Sequence, residues 1–253
     1  MYKTPFQISL KLIVLLWAMI GIKAYSQSTD TETPVSYDTA YVLNLYDSAY
    51  LNLDSYDIAL GFITKASEIS KNLDYKRGIA ISYFHLGSVQ LNNDRQNDAI
   101  GNFKTALDLL LKLKRYNDVV TTFRKIGNSY YFLSDFKQAL HYSQKGLVLS
   151  DSLNNKLESA RLKSQIGSCY EDMGKYEKSL ELLLEANGDY NLLNDKEGIA
   201  ESLNSLGVIY SSMDQFEKAN YNFNKAMWIY EDIGDDYGVS NCLTNIGYMC
   251  FYN

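Results

Sequence analysis

The sequence predicts an all-α protein, an α-α superhelix of about five helical hairpins followed by one terminal helix. Three observations carry this. Prolines occur only at Pro5 and Pro34, so the chain from Val35 onward lacks the strongest helix breaker. Glycines recur at Gly87, Gly127, Gly167, Gly207 and Gly247, forty residues apart without slippage. Small residues recur in the same register, at Ala99, Ala139, Ser179 and Ala219, then at Ala106, Gly146, Ala186 and Ala226. A glycine inside a helix costs roughly 1 kcal/mol against alanine. Five in register therefore imply that a neighbouring helix must approach closely at each. The small-residue comb supplies the matching face, and each hairpin buries its other face by stacking on the next.

The elements follow in order from the N-terminus. Residues 1–26 begin with Lys3 and Lys11, run apolar from Leu12 to Ile22 and reach Ala24-Tyr25-Ser26, the pattern of an export signal cleaved before Gln27. The apolar run is 11 residues long and covers about half of a ~30 Å hydrocarbon core. A cleaved signal peptide is favoured over an uncleaved anchor, and the chain is expected to be exported, periplasmic or secreted. Residues 27–37 read as polar linker. The array fills 38–253, with repeats near 38–78, 79–118, 119–158, 159–198 and 199–238 and a partial copy at 239–253.

The first hairpin is a degenerate copy, with helices near 38–52 and 55–72. In the later copies the first helices are expected near 79–92, 119–132, 159–173, 199–212 and 239–252. The second helices are expected near 95–112, 135–152, 175–192 and 215–232. Asp54, Asp94, Ser134, Gly174 and Asp214 fall in turns within hairpins, as residues suited to ending one helix and capping another. Gly78, Asp118, Glu158, Gly198 and Gly238 fall in the turns between hairpins. The last copy leaves Ile246, Met249, Cys250 and Phe251 without a second helix, which fits either a cap facing a partner or a chain truncated relative to a longer parent.

Net charge is −6, and beyond the export segment 21 basic residues face 30 acidic ones, a net charge of −9. Such a surface repels phosphate backbones and anionic lipid, so nucleic acid is not an expected partner and membrane contact is expected only through an uncleaved N-terminal segment. The two histidines, His85 and His141, stand alone, and Cys169, Cys242 and Cys250 lack CxxC spacing. His141 with Cys169 is the one conceivable nucleophile pair, but Cys169 falls on a core position of the repeat. Phosphate-binding and nucleophile-elbow motifs are absent. No enzyme activity, metal or cofactor is expected.

The strings HLGSVQ, KIGNSY, QIGSCY, SLGVIY and NIGYMC, followed by the alanine comb and by Phe103, Leu183 or Phe223, resemble the tetratricopeptide repeat. The resemblance covers residues 38–253. Departures are a period of 40 rather than 34, no terminal proline, and Lys163, Leu203 and Leu243 where the family carries an aromatic residue. Six extra residues without proline predict longer second helices, similar to the long-repeat variants of exported bacterial sensor regions.

What the resemblance implies is a concave groove lined by first helices, in which a protein or peptide segment lies. Carried over by position, groove residues are Phe84, Ser88 and Leu91; Arg124, Asn128, Tyr131 and Phe132; Arg161, Ser164, Ser168, Glu171 and Asp172; Glu201 and Asn204. Arg124 with Asn128 resembles half of a carboxylate clamp, but Glu201 stands where the family's clamp needs a base. Two functions are weighed: an interaction scaffold binding an extended peptide, as the sensor part of a signalling protein, and a receptor for a small ligand or peptide signal coupled to a histidine kinase or transcription regulator.

Overall fold

The structure, a computed structural model, describes residues 38–53 and 55–251. The export segment, the linker and Asp54 lie outside the described residues. Every regular element among the described residues is a helix: α1 (Thr39–Tyr50), α2 (Tyr56–Asn72), α3 (Lys76–Asn92), α4 (Gln96–Lys112), α5 (Tyr116–Phe132), α6 (Phe136–Ser152), α7 (Lys156–Asp172), α8 (Tyr176–Leu193), α9 (Lys196–Ser212), α10 (Phe216–Ile233) and α11 (Asp236–Phe251). Each packs on its neighbours in sequence, and the odd-numbered helices also touch one another in succession. The helices form one compact unit. None among the described residues is long and apolar enough to cross a membrane.

The glycine comb does what its spacing implies. A Cβ on Gly207 would lie 2.5 Å from the Phe223 ring, and one on Gly87 would lie 2.8 Å from Phe103 and 3.1 Å from the Ala99 carbonyl. At Gly167 the neighbour is Leu183, at 3.0 Å. Each odd helix thus presses its glycine onto the following even helix, one turn from the small residue of the comb. Gly146, on an even helix, meets Leu162 of the next repeat at 3.0 Å, so the second comb closes the contact between hairpins. Gly247 alone in the comb has nothing within 4 Å.

The turns differ from expectation in an informative way. Backbone in the left-handed region recurs every twenty residues, at Asp74, Asp94, Lys114, Ser134, Asn154, Gly174, Asn194, Asp214 and Gly234. Most are Asp, Asn or Gly, which tolerate that conformation best. After each, the next amide reaches back six residues inclusive to a helix carbonyl, as from Tyr75 to Ser70 (2.8 Å) and from Gln215 to Tyr210 (2.8 Å), which closes the helix end. Within a hairpin, the cap is Asp135, one residue after Ser134, and it accepts the Gln138 amide at 3.1 Å; between hairpins, Asn155 and Asp195 accept the amides of Glu158 and Gly198 at 3.2 and 3.3 Å, three residues before the expected turn positions. A left-handed residue plus a cap reverses the chain so briefly that the odd helices start three residues before the expected point.

Gly78, Asp118, Glu158, Gly198 and Gly238 are therefore not turn residues; they sit third in their helices. At Gly198 and Gly238 a side chain would run into the rings of Tyr190 and Tyr230, so glycine there admits a tyrosine from the preceding helix. The expected lengthening of second helices is also corrected. From α3 onward, α3–α7 and α9 have 17 residues and α8 and α10 have 18. The extra residues of the long repeat are shared between both helices.

Candidate functional site

The odd helices line a trough of about 740 Å³ formed by α5, α7, α9 and α11, with Tyr50 of α1 at its edge. The chain puts one stripe of each odd helix into it. On α5 these are Arg124, Lys125, Asn128 and Tyr131, and on α7 they are Arg161, Ser164, Gln165 and Ser168. On α9 the stripe is Glu197, Gly198, Glu201, Ser202, Asn204 and Ser205, and α11 adds Tyr237, Gly238 and Asn241. Steps of three and four residues put such positions on one helix face. Tyr190 and Tyr230 enter from the ends of α8 and α10, above their glycine seats.

Eight of the expected groove residues are brought together here: Arg124, Asn128, Tyr131, Arg161, Ser164, Ser168, Glu201 and Asn204. Six lie elsewhere. Leu91 is buried with Ala99, Phe103 and Ile126. Phe84 packs edge-on to Phe103, ring centroids 5.6 Å apart, and Ser88 donates its hydroxyl to the Phe84 carbonyl at 3.1 Å. Phe132 sits at the end of α5, mostly exposed, beside Tyr131. Glu171 ends α7 next to Asp172, and burial, then the Asp172 charge, push its carboxyl up to about 7. Burial holds the Tyr131 hydroxyl proton more tightly than usual, and the neighbouring Asp172 and Glu171 add to this.

The electrostatic centre is Glu158, placed in the first turn of α7 and buried. Arg124 Nε donates to it at 2.8 Å, and Arg161 Nη1 donates at 3.1 Å. Burial alone would raise its carboxyl, but the two guanidiniums outweigh it and hold the group below its ordinary range. Arg124 is thus committed within the protein rather than poised as half of a clamp. Lys125, beside it, forms no ion pair among the described residues. Burial, then Arg124, lowers its ammonium to about 8. Glu201 is wetted yet ringed by protein in the concave wall. Enclosure raises its carboxyl, Glu197 and Asp195 add to this, and Arg161 and Arg124 oppose it.

Sequence reasoning missed Lys125, Gln165 and Ser205, two residues before each repeat glycine, along with Tyr190, Tyr230 and the caps Asp195 and Asp235. The first three were available from the repeat, because they lie four residues after Arg161 and its equivalents. The tyrosines and caps depend on where the turns fall, which the glycine period leaves open. Cys169 is buried and its thiol is pushed up to about 12, by burial first and Asp172 second, so it favours the protonated core thiol. His141 is exposed on α6, edge-on to Tyr142.

Comparison with known proteins agrees with this architecture. A tetratricopeptide repeat family model matches residues 158–232. A sequence comparison with curated proteins finds no match. Among solved structures, aspartyl phosphate phosphatase F from Bacillus subtilis superposes with a TM-score of 0.71 at 15% identity, over 81% of this chain and 54% of that one. A Rap protein complexed with competence and sporulation factor gives 0.73 at 15% identity, over 82% and 62%. A signal transduction ATPase with a tetratricopeptide repeat sensor, from Pyrococcus horikoshii, gives 0.65 at 13%, over 84% and 36%. The chain therefore spans little more than half the length of the phosphatase and the Rap protein, and at these identities the likeness is one of fold. The family match falls on α7–α10, hairpins of the same helical form run from α1 to α10 with α11 opening another, and the chain as a whole is an all-helical array of stacked hairpins similar to tetratricopeptide repeats.

Proposed function

We propose that this chain is a protein-interaction scaffold that holds an extended peptide segment in the trough, as the sensor part of a signalling protein exported across the cytoplasmic membrane. The observation that carries the reading is the trough itself. Four successive odd helices give it hydroxyls, amides and charges rather than a greasy lining. A peptide backbone needs such donors and acceptors along its length, and Asn128, Ser164, Gln165 and Ser168 present them in a row. The Rap protein that shares the fold is complexed with competence and sporulation factor, which supports a binding use of the array here. The basic start, apolar run and small residues of 1–26 support export.

The test is affinity capture with the full chain, comparing wild type with Asn128→Ala/Tyr131→Ala and with Trp228→Ala. Trp228 is exposed on α10 and does not line the trough. Capture should fall at least tenfold for the double variant and stay unchanged for Trp228→Ala. A partner that survives the double substitution would place binding on another face.

A further inference from the structure

The charges of the trough are sorted by helix. On α5 and α7 its lining carries Arg124, Lys125 and Arg161 and no carboxylate, while Glu158 lies buried beneath and is shared by Arg124 and Arg161. On α9, α11 and the turns before them the lining carries Asp195, Glu197, Glu201 and Asp235 and no base. Lys196, the base nearest in sequence, turns away to pair with Asp232 at 2.6 Å, outside the trough. Residual positive charge at one end is notable in a chain whose array is otherwise strongly acidic.

We infer that the trough selects a segment of matching polarity, with acidic side chains lying over α5 and α7 and basic side chains over α9 and α11. This rests on the reading of the trough given above and adds to it the charge order of the occupant. Lys125 has Arg124 and Arg161 as like-charged neighbours, and Glu201 has Glu197 and Asp195, and grouping like charges in a partly enclosed wall costs free energy in the empty trough. Burial is the first cause of the lowered Lys125 ammonium and of the raised Glu201 carboxyl, and those like charges add to both shifts. An occupant with acid at one end and base at the other relieves both ends at once, whereas a uniformly charged one relieves one end and aggravates the other. The four odd helices, in contact one after another, are spaced about 8–10 Å apart, so the lining spans roughly 24–30 Å, about eight or nine extended residues. The acid and base of the occupant belong at opposite ends of a segment of that length.

The test uses three labelled nonapeptides of one composition with the full chain, read by fluorescence anisotropy. One has three glutamates, a Gly-Ala-Gly spacer and three lysines; the second reverses that order; the third interleaves the charges. One of the two block peptides should bind at least tenfold tighter than the interleaved one, and that margin should shrink as salt rises. Lys125→Glu and Glu201→Lys should each erase most of the margin, and Lys125→Met, which avoids a new buried acid, should reduce it in the same direction. Equal binding of all three peptides, still lost in Asn128→Ala/Tyr131→Ala, would overturn the polarity and leave the trough as the binding face. Binding by none of them would also overturn the polarity, while the trough reading is decided separately by the capture experiment.

Discussion

At the scale of single residues, space decides what each repeat glycine is worth. Alanine gains roughly 1 kcal/mol over glycine in a helix interior, but a forced clash in a packed core costs about 1–3 kcal/mol. A Cβ added at Gly207 would lie 2.5 Å from the buried Phe223 ring, whereas one at Gly247 would meet open space. Gly207→Ala should therefore destabilise by up to about 2 kcal/mol net, and Gly247→Ala should stabilise by up to about 1 kcal/mol, as read by urea denaturation. Equal effects at the two sites would contradict the packing account. The same residues show what was legible in advance. The period alone gave the close contact, because only glycine and its comb explain each other. It did not reveal that Gly198 and Gly238 make seats for Tyr190 and Tyr230, since those glycines look like turn residues until the turn is located.

At the scale of elements, the docking of α1 on α3 depends on one histidine. His85 stacks on Tyr46 of α1, ring centroids 4.8 Å apart, and Tyr46 donates its hydroxyl to the Gly78 carbonyl at 2.6 Å. Burial lowers the imidazole to about 4, with Lys125 adding to this and Asp47 opposing it. A folded pKa below the unfolded one favours the neutral ring, so its stabilisation is complete above about pH 6.5 and lost as pH falls toward 4. Acidification through that window should cost on the order of 2–3 kcal/mol from this group. His85→Phe should remove that share of the acid sensitivity while keeping the stack, and pH-dependent thermal melts of both proteins would check it. A variant curve parallel to wild type between pH 6.5 and 4 would contradict it. The sequence puts His85 directly before Leu86-Gly87, which fits packing or surface rather than catalysis. What it could not give was the partner, because Tyr46 belongs to the degenerate first copy, 39 residues away.

At the scale of the whole array, stability is local. Each hairpin touches only its neighbours along the chain, so protection must vary along the stack rather than follow one global unfolding. The central helices α5–α9 are covered on both sides, while α11 leaves Leu243, Tyr248 and Phe251 largely exposed. Amide hydrogen exchange should be slowest in α5–α9 and fastest in α11 and α1, with intermediate rates between. Uniform protection from α1 to α11 would show one cooperative unit instead. The stack was readable from the sequence because forty-residue spacing is a property of contacts. The charge order of the trough was not, since it needs the unmarked positions Lys125 and Asp195 placed in space. The left-handed residue every twenty positions has a further effect on the family of chains this one can become. Because both kinds of corner use the same few atoms, a duplicated or deleted forty-residue segment rejoins the stack without new connecting chemistry. Lengthening the protein by copying its gene segment extends the trough by one more stripe, in phase with the last.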